Sequence, residues 1–291
     1  MFVFDPQYWF MFPISIVIAT IAMSTGVGGA VFFAPIFLIG LKLAPPVAIG
    51  TALITEFFGF SSGLIAYFRQ RLIDFKLGFS VLMFAVPAAI FGAAIADLFP
   101  ADALKGIFAA GILFVGTQIF LAWRDERRHA EGEGDAQIEE GAPQHARHVV
   151  IDRTGRRFEY NVFNRPVAAA YASTGGMFLG MISVGLAELM EYQMVARCRI
   201  PAPVAVATSI FIVVIAVLAA SVGHIVAFAS EGDEVIGQVI SLAIFTAPGV
   251  IIGGQLGPIV QRRVDPELMK VLISIVFVAV GLFMLISLAF L

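Results

Sequence analysis

The chain has 291 residues, 59% hydrophobic and 13% charged, with a mean hydropathy of +0.94, against about 45–50% apolar and about 25% charged in ordinary soluble domains, which excludes a soluble globular protein. Of its 39 charged residues, 17 fall in the 42 positions from Arg124 to Arg165, so the other 249 residues have lipid as their solvent, in apolar runs too long and continuous for barrel strands. A single cysteine, Cys198, excludes a disulfide framework and a Cys-rich metal site, and a net charge of -3 offers no basic footprint for nucleic acid.

Taken in chain order, residues 1–12 lack the charged n-region of a cleavable signal and run straight into apolar sequence, so they are expected to be retained. Apolar runs cover 8–40, 46–68, 77–98, 103–123, 166–196, 202–228, 236–258 and 267–290. Two are too long for one crossing. At about 1.5 Å per residue, 8–40 would reach about 50 Å and 166–196 about 46 Å, against a hydrocarbon core of about 30 Å. Each holds a helix-breaking cluster near its middle, Ser24-Thr25-Gly26-Val27-Gly28-Gly29 in the first and Ser183-Val184-Gly185 in the second. Two short helices folded as a hairpin are predicted in each. Between the halves, 124–147 is charged and poor in large apolar residues, as a flexible linker would be. Residues 148–162 set Val149 and Ile151 against Phe158, Tyr160 and Val162 about Asp152-Arg153-Thr154-Gly155, the pattern of a β-hairpin.

Basic residues collect in the loops on the cytoplasmic side. The breaks at Arg69/Arg71/Lys76, Arg124 to Arg165, Arg197/Arg199 and Arg262/Arg263 are basic, whereas 99–102 and 231–234 hold no Lys or Arg. With both long segments as hairpins, every basic break faces the cytoplasm except the single Lys42. Each half then contributes one hairpin and three crossings, an odd number, so the second half is inverted relative to the first. Duplication is visible directly. Pro46-Val47-Ala48-Ile49-Gly50-Thr51 matches Pro203-Val204-Ala205-Val206-Ala207-Thr208 at an offset of 157, which also lays Val27-Gly28 on Val184-Gly185. Pro87 and Gly92 match Pro248 and Gly253 at an offset of 161. The expected fold is an all-α polytopic membrane protein with a membrane repeat at 1–123, a cytoplasmic insert at 124–165 and a second membrane repeat at 166–291. Inverted repeats broken at corresponding places are a signature of secondary transporters.

Unwound backbone at membrane depth is tolerated where it is buried in protein or lines a cavity. Helices restarting at Gly28-Gly29 and after Gly185 present N–H groups and a positive dipole end, which suits an anion. Ser24, Thr25, Gly26 and Ser183 stand beside these breaks. Thr51 and the pair Thr208-Ser209, one turn into helices that begin at Pro46 and Pro203, are further substrate-binding candidates. Glu56, Glu188 and Glu191 lie inside apolar runs, where a carboxylate costs several kcal/mol unless paired or protonated, so they are candidates for proton coupling. His224 reads as a hydrogen-bonded interface residue. His129, His145 and His148 lie in the insert without metal-ligand spacing and read as incidental. No nucleophile elbow, phosphate loop or HExxH is present in the sequence, so neither an enzyme nor a cofactor is expected.

These residues resemble the TauE/SafE family of membrane permeases. The resemblance is carried by Gly26-Val27-Gly28-Gly29 with Pro35 beyond it, Ala48-Ile49-Gly50-Thr51, Tyr67-Phe68-Arg69 followed by Ile73-Asp74, and Val204-Ala205-Val206-Ala207-Thr208-Ser209. It implies export of small sulfur-containing anions such as sulfite, sulfoacetate or aryl sulfonates across the bacterial inner membrane. Ser183-Val184-Gly185-Leu186-Ala187-Glu188, where many members carry a Gly-rich copy, and the charged insert depart from that pattern. The expected partners are the anion, protons and the lipid bilayer, with a homodimer as a further expectation and no nucleic acid. A cation or metal transporter that uses the glutamates as ligands is the alternative, and a sensor or scaffold would place function in 124–165.

Overall fold

The computed structural model describes residues 6–25, 27–96, 98–132, 147–162, 165–261, 263 and 266–290. A 3-10 turn, Pro6–Phe10, leads into α1, Met11–Thr25. After the break comes α2, Ala30–Gly40, whose last five residues form a π-helical turn. Then follow α3, Pro45–Gln70, α4, Phe75–Ala96, and α5, Ala101–Gly132. The insert contributes β1, Arg147–Ile151, and β2, Arg157–Asn161. The second half runs α6, Arg165–Ile182, α7, Leu186–Tyr192 with a π-helical continuation Gln193–Arg197, α8, Ala202–Glu231, α9, Asp233–Gln261, and α10, Pro266–Phe290.

Among the described residues, seven helices are long and apolar enough to cross a membrane. Their outward faces are apolar, with Phe79, Met83 and Phe91 on α4 and Leu272, Ile275, Val276, Leu282, Phe283 and Ile286 on α10 exposed. The first over-long run does not divide into two short helices. Pro6–Ser24 alone is of crossing length, and the 11-residue α2 is the short partner, because the helix begins ahead of the run, at Pro6, and the breaking cluster takes up positions 24–29 from the middle onward. Residues 124–132, read as linker, continue α5 as helix. Arg, Glu and Ala are good helix formers, and nothing in this stretch stops the helix before Gly132. Residues 133–146 lie outside the described set.

The second half repeats the first to the level of single hydrogen bonds. The π-helical turn Ile36–Gly40 recurs as Gln193–Arg197 at the offset of 157. The bonds Leu41 N–H to Ile36 O, Leu43 N–H to Phe37 O and Ala48 N–H to Ala44 O recur as Cys198 to Gln193, Ile200 to Met194 and Ala205 to Pro201. Lys42 and Arg199, again 157 apart, both take a left-handed backbone at φ 53° and 51°. Packing follows the same exchange. Helix α1 lies along α9 and α6 along α4, while α3 packs against α9 as α8 does against α4. The pairs α3–α8 and α5–α10 join equivalent helices. Close approach rests on glycine: a Cβ on Gly253 of α9 would meet the Ile16 carbonyl of α1 at 2.5 Å. Small residues of this kind let helix backbones touch where lipid supplies no hydrophobic drive for association.

Candidate functional site

Both breaks turn the chain back on itself. A Cβ on Gly29 would touch Ala22 of α1 at 3.8 Å, and one on Gly175 of α6 would stand 2.9 Å from the Leu186 Cα, whereas a helix continuing straight would separate residues 7 apart by about 10 Å and residues 11 apart by about 16 Å. In the second break Ser183 and Gly185 take φ of 58° and 112°. Two left-handed residues within three reverse the chain, and the wider φ favours glycine because a side chain there is strained.

Glu188, the third residue of α7, folds back over this turn. Its Oε2 accepts the Gly185 N–H at 3.1 Å, a local cap of the kind a glutamate at this helix position supplies. Its Oε1 accepts the Gly28 N–H, also at 3.1 Å, from 160 positions away. One carboxylate therefore joins the two breaks. Glu56 of α3 lies against the same glycine, since a Cβ on Gly28 would stand 3.0 Å from Glu56 Oε1 and 3.3 Å from Glu188 Oε1. The N–H groups of Gly29 and Ala30, at the start of α2, face the Glu56 carboxylate, but neither of its oxygens completes a hydrogen bond. Both side chains are buried, Glu56 at 2% exposure and Glu188 at 7%. The positive ends of α2 and α7 thus converge on two carboxylates, the charge arrangement a helix dipole favours.

The other candidates are distributed more widely. Thr51 Oγ1 and Ser183 Oγ are buried and have no hydrogen-bond partner. Ser24 donates to the Ile21 carbonyl at 2.8 Å and Ser209 to that of Val206 at 2.9 Å, each within its own helix. Thr208 Oγ1 accepts the Asp74 N–H at 3.0 Å, at the α3–α4 loop. Glu191 is half-buried and engaged. Gly26 and the side chain of Thr25 lie outside the described residues. His224 is buried, its Nε2 3.0 Å from the Gly180 carbonyl oxygen. Among groups not singled out from sequence, Gln193 is buried with its Nε2 3.6 Å from Cys198 Sγ and its Oε1 unpartnered.

A second polar cluster joins the insert to the membrane helices. Asp74 caps α4 by accepting the Leu77 N–H at 3.0 Å on Oδ1. Its Oδ2 lies 2.5 Å from His148 Nδ1 and accepts the Tyr160 hydroxyl at 2.7 Å. His148 and Tyr160 face each other across the strands and stack at 5.7 Å, and Arg153 N–H bonds the Gln70 carbonyl at 3.0 Å. His148, read as incidental, is thus a buried contact of the insert with the α3–α4 loop. The signal was its place opposite Tyr160 in an alternating hairpin. Burial and Asp74 hold the Tyr160 hydroxyl above the usual phenol range. In the hairpin turn, Asp152 accepts the hydroxyl and N–H of Thr154 and the N–H and guanidinium of Arg156. These bonds, led by the Thr154 hydroxyl, hold its carboxyl well below the usual carboxylate range.

Among the described residues, seven crossing-length apolar helices and a buried junction of two broken helices define a multi-pass α-helical membrane protein. The chain belongs to the sulfite exporter TauE/SafE family, whose profile matches residues 11–284. It is similar to the probable membrane transporter protein YunE of Bacillus subtilis (strain 168), 25% identical over 276 residues that cover 92% of this chain and 93% of that protein. It is also similar to the probable membrane transporter protein YjnA of the same organism, 23% identical over 268 residues, 89% of this chain and 92% of the relative. No solved structure matches the chain significantly.

Proposed function

We propose that this membrane transporter of the TauE/SafE family carries small sulfur oxyanions, sulfite or organosulfonates, outward across a bacterial inner membrane in exchange for protons. The observation that carries the reading is the single carboxylate held between the N–H groups of Gly28 and Gly185. It marks a buried position where the backbone of both halves binds an oxyanion. Thr51 and Ser183, with unpartnered buried hydroxyls, supply further donors, and Gly29 lies at the start of α2. Glu56 and Glu188 are the groups that take up and release the proton, with Glu191 one turn beyond. The two halves are inverted about this junction, which lies near the bilayer midplane, and the insert faces the cytoplasm, where the basic loops gather. The role is transport rather than catalysis.

The test is flux of sulfite and of a sulfonate in proteoliposomes with and without a pH gradient. Gly28→Leu, which drives a side chain into both carboxylates, abolishes flux, and Glu56→Gln uncouples it from the gradient. Flux indifferent to both substitutions refutes the reading. A cation or metal transporter is the second reading, favoured by the two carboxylates that meet at Gly28. Binding competed by metal ions and not by sulfur oxyanions would select it.

A further inference from the structure

Glu188 does more than cap its own helix. Capping α7 uses one carboxylate oxygen and a donor three residues away, while the second oxygen is given to Gly28 in the other half of the chain. The Gly28 N–H belongs to unwound backbone inside a membrane protein, where an N–H without a partner is expensive. Glu188 satisfies it with the protein's own negative charge. Two oxygens on one atom, each receiving one N–H, are also what a sulfonate, sulfite or carboxylate head would offer to the same two donors. Meanwhile Glu56 stands against Gly28 with both oxygens unpartnered and 2% exposed. A third negative group cannot enter beside two carboxylates without strong repulsion.

We propose that the Glu188 carboxylate is a tethered stand-in for the transported anion: it fills the cradle formed by the Gly28 and Gly185 N–H groups when no substrate is bound, and substrate binds by displacing it. This rests on the anion-transport reading and assigns the gate of that same site. The substrate it implies is an oxyanion with at least two acceptor oxygens on one atom, because a head with a single acceptor could replace only half of what Glu188 provides. Either the side chain or the substrate satisfies both N–H groups, so the two halves stay joined at the junction in both states.

The experiment uses purified full-length protein in detergent. Binding of sulfite and of sulfoacetate is measured by isothermal calorimetry, and thermal stability is measured with and without acetate or formate. Glu188→Ala removes the internal competitor. If the wild-type cradle is free for about a tenth of the time, Glu188→Ala tightens apparent binding about tenfold. Acetate and formate, which replace the missing carboxylate, raise the melting temperature of the variant and not of the wild type, and sulfite competes with that effect. Should Glu188→Ala fail to fold, Glu188→Gln decides, since it keeps the shape but turns an amide N–H toward one of the two donors, and it too tightens binding. Unchanged or weaker anion binding in a folded variant, with no acetate effect, overturns the proposal while leaving anion transport intact. Acetate rescue without any sulfur-oxyanion binding upholds the cradle and overturns the sulfur substrate class instead.

Discussion

Asp74→Ala removes three hydrogen bonds at once: the cap to Leu77 N–H at 3.0 Å, the contact to His148 Nδ1 at 2.5 Å and the Tyr160 hydroxyl at 2.7 Å. The cap contributes about 1 kcal/mol to α4. Each bond from the hairpin to a charged acceptor contributes about 1.5–3 kcal/mol, and because they share one oxygen the pair is worth less than its sum. Undocking of the hairpin therefore becomes easier by about 3 kcal/mol, which raises the undocked population on the order of a hundredfold. Arg153, Arg156 and Arg157 lie in the hairpin turn and at the start of β2, so trypsin reports that population directly where reclosing outpaces cleavage. The initial rate of cleavage within 153–157, followed by fragment mass in detergent, is expected to rise by that factor. Asp74→Asn keeps the cap on its carbonyl oxygen but turns an amide N–H, a donor, to where Oδ2 accepts from Tyr160, and raises the rate by about tenfold, because a neutral bond to the Tyr160 hydroxyl oxygen replaces the charge-assisted one. Cleavage of Asp74→Ala at the wild-type rate would refute the reasoning, since the hairpin would then be held by its other contacts, such as Arg153 N–H to the Gln70 carbonyl.

Gly253→Ala drives a Cβ to 2.5 Å from the Ile16 carbonyl, whereas a Cβ on Gly237 of the same helix meets nothing within 4 Å. The first lowers the melting temperature and yield in detergent, and Gly237→Ala stabilises by up to about 1 kcal/mol. Thr55 and Thr246 share a buried hydroxyl bond of 3.0 Å between α3 and α9. Each single change to valine costs about 1–2 kcal/mol by leaving a buried hydroxyl unpaired, and the double change costs less than their sum in a thermal-stability cycle. For Asp152, a carboxyl depressed in the folded state stabilises in full above its unfolded value of about 3.9 and loses that contribution as pH falls through the folded value. Hydrogen-exchange protection of the turn amides, corrected for intrinsic rates, thus holds from pH 7 to about pH 4, and Asp152→Asn loses it already at pH 7.

Where sequence was informative, a local pattern carried the signal. Pro46 to Thr51 and Pro203 to Thr208 display the offset of 157 that the π-helical turns and their hydrogen bonds also keep. The breaks were visible because glycine and serine interrupt runs longer than a bilayer is thick. What sequence could not supply was long-range pairing. Glu188 stands three residues after Gly185, so its cap is legible, but its bond to Gly28 spans 160 positions. Ser24 and Ser209 have a bonding partner one turn back in their own helices, an outlet that any helical serine has and that sequence cannot distinguish from a ligand contact. Asp74 drew notice as part of a family motif. Its partners, His148 and Tyr160, come from a hairpin more than 70 residues further along.

The exchange of first helices between the halves has a consequence for synthesis. Helix α1 packs along α9 and α6 along α4, so α1, once made, waits for a partner encoded more than two hundred residues later. At roughly 5–20 residues per second that interval is on the order of 10–40 s. Helix α6 has no such wait, because α4 is already made. Assembly is therefore ordered in time although the halves are alike in pattern, and the glycine face of α9 completes the packing of α1. A chain truncated before α9 would leave α1 without its lengthwise partner.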